Sequence, residues 1–244
     1  MTTAIIVQAR MTSTRLPGKV LLPLGDRTAL AQVLGRCRLV RGVDVVCCAV
    51  PDAPASDPVA AEAEACGAVV VRGSEHDVLG RYRQAAEVVA ADLVMRVTSD
   101  CPLIDPESCA AVIAEVAAGR ADYACNNMPR TWPHGLDCEA FPAALLERAG
   151  REATAPYERE HVTPWMRTHP GLRRVNVPGP RPEQAGLRWT LDFPEDYVFL
   201  KAVFGHLPPL PEVPSATAVA AMVAADPGLS AAAERCLETA RRHA

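Results

Sequence analysis

The chain has 244 residues, of which 49% are apolar, 22% charged and 5% aromatic, and its formal net charge is −4. This composition excludes disordered, collagen-like and low-complexity classes, and the length suits one large domain or one domain with a small appendage. A general binder of nucleic acid or anionic membrane carries a basic field, which this chain lacks, so any phosphate binding must be local.

The N-terminus, Met1-Thr2-Thr3-Ala4-Ile5-Ile6-Val7-Gln8, has neither the basic start nor the apolar length of a signal peptide. No apolar run approaches the roughly 20 residues of a membrane helix. The nine cysteines show no CxxC and no zinc-like spacing. Several sit inside apolar runs, as in Val45-Val46-Cys47-Cys48-Ala49-Val50, and read as buried thiols. Together these features predict a cytoplasmic protein.

In chain order, residues 4–8 read as a buried strand and residues 9–19 as a polar, basic loop. Residues 29–39 carry apolar side chains at helical spacing, and residues 44–50 form a second strand. After a Pro-rich loop, a helix over 59–66 is closed by Gly67. A strand over 68–72, a helix over 77–91, a strand over 93–98, a helix over 106–118 and a strand over 122–125 follow. This alternation predicts an α/β fold with a mostly parallel central sheet and helices on both faces. Ligands of such sheets bind outside the carboxyl ends of the strands. Beyond residue 126 the pattern changes. Residues 128–141 read as irregular, 142–149 and 157–168 as helical with a break at Pro164, and 172–177 and 187–191 as strands. A helix over 194–206, a connection over 207–214 with four prolines, and helices over 217–225 and 229–243 complete the chain.

The loop after the first strand, Ala9-Arg10-Met11-Thr12-Ser13-Thr14-Arg15-Leu16-Pro17-Gly18-Lys19, gathers three cations, three hydroxyls and a glycine. Hydroxyls and backbone N–H groups donate to phosphate oxygens, arginine adds a bidentate fork, and lysine a point charge. It is neither a Walker loop nor a GxGxxG fingerprint. Of the 25 basic residues only Lys19 and Lys201 are lysine, which hints at a role for Lys19 that arginine cannot fill.

Gln8-Ala9-Arg10-Met11-x-Ser13-Thr14-Arg15-Leu16-Pro17-Gly18-Lys19 resembles the signature loop of the sugar-acid cytidylyltransferases, the CMP-Kdo synthetases and acylneuraminate cytidylyltransferases. It is most similar to their spore coat polysaccharide biosynthesis protein F-like branch. Further matching blocks are Arg72-Gly73-Ser74-x-x-Asp77-Val78-Leu79-x-Arg81-Tyr82 and Arg96-Val97-Thr98-Ser99-Asp100-Cys101-Pro102-Leu103-Ile104-Asp105-Pro106. Three more follow: Gly135-Leu136-Asp137-Cys138-Glu139, Glu158-Arg159-Glu160-His161-Val162-Thr163-Pro164, and Leu187-Arg188-Trp189-Thr190-Leu191-Asp192-x-Pro194-Glu195-Asp196-Tyr197. The resemblance spans about residues 4–200.

It implies a Rossmann-like nucleotidyltransferase (GT-A-like) fold, usually dimeric, over residues 1–206, with 126–180 as an acceptor-side and dimerisation region and 207–244 as an appendage. It also implies transfer of CMP from CTP to an acceptor hydroxyl, with release of pyrophosphate, for surface polysaccharide or glycoconjugate synthesis. Arg10, Ser13, Arg15 and Lys19 then fall on the triphosphate-gripping loop, joined by Ala9, and Asp100 and Asp192 on the aspartates that hold Mg2+. Arg10, Arg15, Lys19 and Asp100 are the expected catalytic residues.

The chemistry agrees. Cations stabilise charge on the departing pyrophosphate, and magnesium takes one or two carboxylates besides water and phosphate. Asp100 and Asp192 each follow an expected strand, and both reach one sheet edge if those strands are parallel neighbours. A helix cap is the ordinary role of such an aspartate, and Asp105-Pro106 is the better pure cap. Gly73 and Ser74 end the strand over 68–72, Ser99 precedes Asp100, and all three suit the nucleotide, while Asp77 and Arg81 are spaced to pair on one helix face and by the resemblance suit a nucleotide or interface role. Arg130, Asp137, Glu139, Glu158, Arg159, His161 and Arg188 form polar clusters suited to the acceptor, a sugar acid on the family's pattern; in an extended stretch both Asp137 and Glu139 point one way. The competing readings are another nucleotide or a sugar-phosphate or phosphonate acceptor, a glycosyltransferase, for which no DxD motif is present, and a non-catalytic nucleotide-binding protein.

Overall fold

The computed structural model describes residues 1–243. In chain order the elements are β1 (Thr3–Gln8), the short hairpin β2 (Pro23–Leu24) and β3 (Arg27–Thr28), α1 (Ala29–Cys37), β4 (Val45–Pro51), α2 (Asp57–Ala65), β5 (Val69–Gly73), α3 (Val78–Val88), β6 (Leu93–Thr98) and α4 (Pro106–Ala117). The second half adds β7 (Tyr123–Cys125), β8 (Glu139–Pro142), α5 (Ala143–Glu152), α6 (Pro156–His161), α7 (Pro164–Thr168), β9 (Arg174–Asn176), α8 (Pro194–Phe204), α9 (Ala216–Ala225) and α10 (Pro227–Arg242).

A seven-stranded sheet runs β5-β4-β1-β6-β8-β7-β9. Its first four strands are parallel, as their nearly continuous apolar runs require, because both faces are covered. One face packs Ile5, Val7, Met95 and Val97 against α1, α2 and α4, and the other packs Ile6, Val94 and Phe141 against α3, α5 and α7. A third core joins α8, α9 and α10 around Trp189, Leu191 and Phe199. Gln8 pairs with both Ala49 and Thr98, so β1 and β6 end level, two residues short of the end of β4, and their following loops share one edge.

Three sequence expectations change. First, residues 128–141 are not all irregular, since Glu139 opens β8, which runs antiparallel between β6 and β7. Its four residues, with a buried carboxylate and a proline, give no period-2 pattern. Second, residues 187–191 do not join the sheet, because β8 already occupies the free edge of β6. That segment is extended all the same. The Leu191 N–H donates to the Asp100 carbonyl at 2.8 Å and the Trp189 N–H to the His134 carbonyl at 2.6 Å. The crossing needs Gly135: its φ is +111°, and a Cβ there would lie 2.5 Å from the Trp189 carbonyl carbon. Third, the helix over 157–168 breaks at Val162, before Pro164. Val162 has φ 70° and ψ −53°, and the Thr163 N–H donates to the His161 carbonyl at 2.8 Å, which is a γ-turn.

Candidate active site

At the carboxyl edge of β1 and β6 lies a cleft of about 670 Å3. Its wall is the basic loop. The Met11 carbonyl accepts from both the Ser13 and Gly18 N–H groups, the Ser13 hydroxyl accepts from the Leu16 N–H, and Gly18 takes a φ of 67° that releases the chain into a single 3-10 turn, Lys19–Leu21. Val20, 1% exposed, pins that turn into the core and leaves Lys19 facing the cleft.

Lys19 Nζ donates to Asp192 Oδ1 at 2.8 Å, to the Leu191 carbonyl at 2.7 Å and to Asp100 Oδ2 at 3.3 Å. Arg15 Nη2 stands 3.1 Å from the same Asp192 oxygen. Two carboxylates thus converge on one point that a cation already fills. Burial alone would lower Lys19, but the two aspartates outweigh it and hold the ammonium charged. Burial alone would raise the Asp100 carboxyl, but Lys19 and the Thr98 hydroxyl, donating at 2.5 Å, bring it below the usual carboxylate range. The donor set fits a divalent cation of the magnesium type, which needs one or two ionised carboxylates and takes its remaining oxygens from water and phosphate.

Asp192 does not cap α8. Asp196 does: its Oδ2 accepts from the Asp192 and Phe193 N–H groups, each at 2.9 Å, and both its oxygens accept from Arg188, at 3.0 and 2.8 Å. Asp105 is a true cap, accepting from the Glu107 and Ser108 N–H groups.

Of the residues singled out from sequence, Ala9, Arg10, Ser13, Arg15, Lys19, Ser99, Asp100, His161 and Asp192 line this one cleft. The others do not. Gly73 and Ser74 end β5 beside it, with the Ser74 hydroxyl accepting from the Asp77 N–H. Arg130 pairs with Asp137 at 2.8 Å, and Arg188 lies beneath Asp192, 3.4 Å from its Oδ2. Glu158 caps α6 through the Ala155 N–H. Arg159 binds Asp77 and the Gly150 carbonyl, so the expected pair of Asp77 with Arg81 does not form, and Arg81 donates instead to the Ser74 carbonyl.

Glu139 departs furthest from expectation. It is 1% exposed, and it accepts from Arg96 at 2.6 Å, from Arg167 at 2.5 Å, from Thr163 at 2.7 Å and from the Tyr123 hydroxyl. Burial would raise its carboxyl, but the two guanidiniums pull it down to about 2. It stays out of the cleft because Arg96, opposite it across the β6–β8 pair, and Arg167 and Thr163 enclose it.

Arg81 and Glu160 also line the cleft, as do Gln8 and Arg96, to which sequence reasoning assigned no role. The alternation along β6 puts Arg96 and Thr98 on one face and is a usable signal for Arg96. Gln8 Oε1, Arg81 Nε and Arg96 Nε are buried there without a protein partner.

A family model described as Cytidylyltransferase matches residues 4–212. Spore coat polysaccharide biosynthesis protein SpsF of Bacillus subtilis is 35% identical over 215 residues, covering 85% of this chain and 88% of its own. The solved structure of a cytidylyltransferase from Leptospira borgpetersenii is 32% identical, with a TM-score of 0.87, covering 94% of this chain and 96% of that one. A CMP:2-keto-3-deoxy-manno-octonic acid synthetase complexed with CTP shares the fold at 18% identity, with a TM-score of 0.64 over 84% of this chain and 99% of that one. With the fold, the basic loop and this match in agreement, the chain belongs to the cytidylyltransferase family of CTP-using nucleotidyltransferases.

Proposed function

We propose that this cytidylyltransferase transfers CMP from CTP to a hydroxyl of a sugar acid, with magnesium, for surface polysaccharide or glycoconjugate synthesis, and that it works as a cytoplasmic homodimer. The observation that carries the reading is the convergence of Lys19 and Arg15 on Asp100 and Asp192 at the end of the basic loop. The synthetase of 2-keto-3-deoxy-manno-octonic acid, whose fold the chain shares, supports a sugar acid as acceptor.

In this reading Arg10, Ser13, Arg15 and Lys19 bind the triphosphate, and Lys19 and Arg15 lie against the bridging and departing oxygens, where charge grows in the transition state. Asp100 and Asp192 would hold Mg2+, which supplies further neutralisation of phosphate charge. The acceptor hydroxyl attacks the α-phosphorus as the bond to the bridging oxygen breaks. Arg81 brings only donors, which match the N3 and O2 acceptors of cytosine and oppose the N3–H of uracil. His161, which lines the same cleft, is assigned to the acceptor in this reading.

Pyrophosphate release tests this with each of the four nucleoside triphosphates, magnesium, and a panel of sugar acids, sugar phosphates and phosphonates. Release confined to CTP with a carboxylate-bearing sugar is expected. Release with a phosphate or phosphonate acceptor instead would overturn the sugar-acid assignment.

A further inference from the structure

The match to the family stops at residue 212, yet residues beyond it reach the candidate site. Helix α10 packs along α8, burying Leu229, Ala232 and Cys236 in one core with Phe199, Leu200 and Val203. One contact extends from there to the cleft. At the far end of α10 the His243 ring stacks on Phe193, with centroids 4.9 Å apart. Phe193 in turn meets the Arg15 guanidinium, 4.7 Å from its centroid, and Arg15 pairs with Asp192 at 3.1 Å.

We propose that α10 is a working part of the nucleotide site: by seating the Phe193 ring, His243 acts as a positioning residue that holds Arg15 ready for the outer phosphates of CTP. The inference rests on the reading of Arg15 as a phosphate-binding residue. Arg15 is 51% exposed, and a long, exposed arginine samples many rotamers. A ring against its guanidinium restricts that sampling before the ligand arrives, so less ordering is left to oppose binding. His243 touches no substrate in this scheme. Its effect must pass through Phe193 and Arg15, and it must concern only the phosphates that Arg15 reaches.

Equilibrium binding of CTP and of CMP to the full-length protein, with magnesium, tests this, because CMP lacks the outer phosphates and reports the rest of the site. His243→Ala is expected to weaken CTP about 3- to 10-fold, the scale of one aromatic contact, with CMP binding and melting temperature unchanged. His243→Phe, which keeps a ring, should restore CTP binding. In an Arg15→Ala background His243→Ala should add nothing, as two residues acting through one contact are not additive. Unchanged CTP binding in His243→Ala, where Arg15→Ala alone weakens it, overturns the proposal. So does an equal loss for CTP and CMP, which marks a merely structural role. An unchanged CTP-to-CMP ratio in Arg15→Ala itself overturns the phosphate-binding reading of Arg15, and this proposal with it.

Discussion

Asp192 leaves the capping of α8 to Asp196, four residues on. Replacing Asp192 or Asp100 with asparagine keeps shape but removes a charge. Each variant should lose roughly 10²- to 10³-fold in kcat, with a smaller change in CTP affinity, because the lost interaction matters most in the transition state. Steady-state kinetics across a magnesium titration checks this, and a near-normal kcat in both variants would leave the pair a structural role only. Lys19 and Arg15 differ in what their loss does to the fold. Lys19 is 13% exposed and neutralises two carboxylates, so Lys19→Ala should weaken CTP binding and also lower stability by about 1–2 kcal/mol. The more exposed Arg15 should affect binding with little change in stability. Calorimetric melting beside CTP titration separates the two.

At the scale of elements, β8 and the segment 187–191 arrange the site from behind. Gly135→Ala would drive a Cβ into the Trp189 backbone, and neither strand of that crossing can yield without moving Asp192. A loss of about 2–3 kcal/mol together with a fall in kcat is expected, measured by chemical denaturation and turnover. The Glu139 cluster ties β6, β7, β8 and α7 together, and its pH dependence has a definite sign. The folded carboxyl sits at about 2, below its unfolded value of ~4.3, so its contribution is fully present above the unfolded value and is lost as pH falls through the folded one. The shift corresponds to about 3 kcal/mol. Glu139→Gln should therefore destabilise the protein by that order at pH 7, and by progressively less between pH ~4.3 and 2. A deficit that stays constant across that window would mean that the charge is not what Glu139 contributes.

On the scale of the whole molecule, a chain of net charge −4 concentrates Arg10, Arg15, Lys19, Arg81 and Arg96 around one cleft, which is how an acidic protein attracts a triphosphate. CTP with magnesium should raise the melting temperature more than ATP, GTP or UTP does; a ligand at 100 times its Kd adds about 2.7 kcal/mol. Equal shifts for all four nucleotides would remove Arg81 as a reader of the base. Among the described residues no single helix is long and apolar enough to cross a membrane.

What depends on near neighbours can be read from the residues alone. Apolar runs and helical spacing give the parallel half of the sheet, a strand end followed by hydroxyls and cations gives the loop 9–19, and block order gives the family. Apart from the block order those signals are local, since each is written within a dozen residues or so. The tertiary structure alone decided what depends on long-range pairing. Lys19 meets Asp192 across 173 residues, and Arg96 meets Glu139 across 43. The edge of β6 went to a four-residue strand with no periodicity of its own, which displaced the segment 187–191 from the sheet but not from Asp100. Glu139 was legible as a carboxylate near the site, but its enclosure between Arg96 and Arg167 depends on the register of β8 on β6, where a shift of one residue would turn it to the opposite face. The reach of α10 to Phe193 was likewise invisible, because an alanine-rich helix carries no mark of the surface on which it will pack.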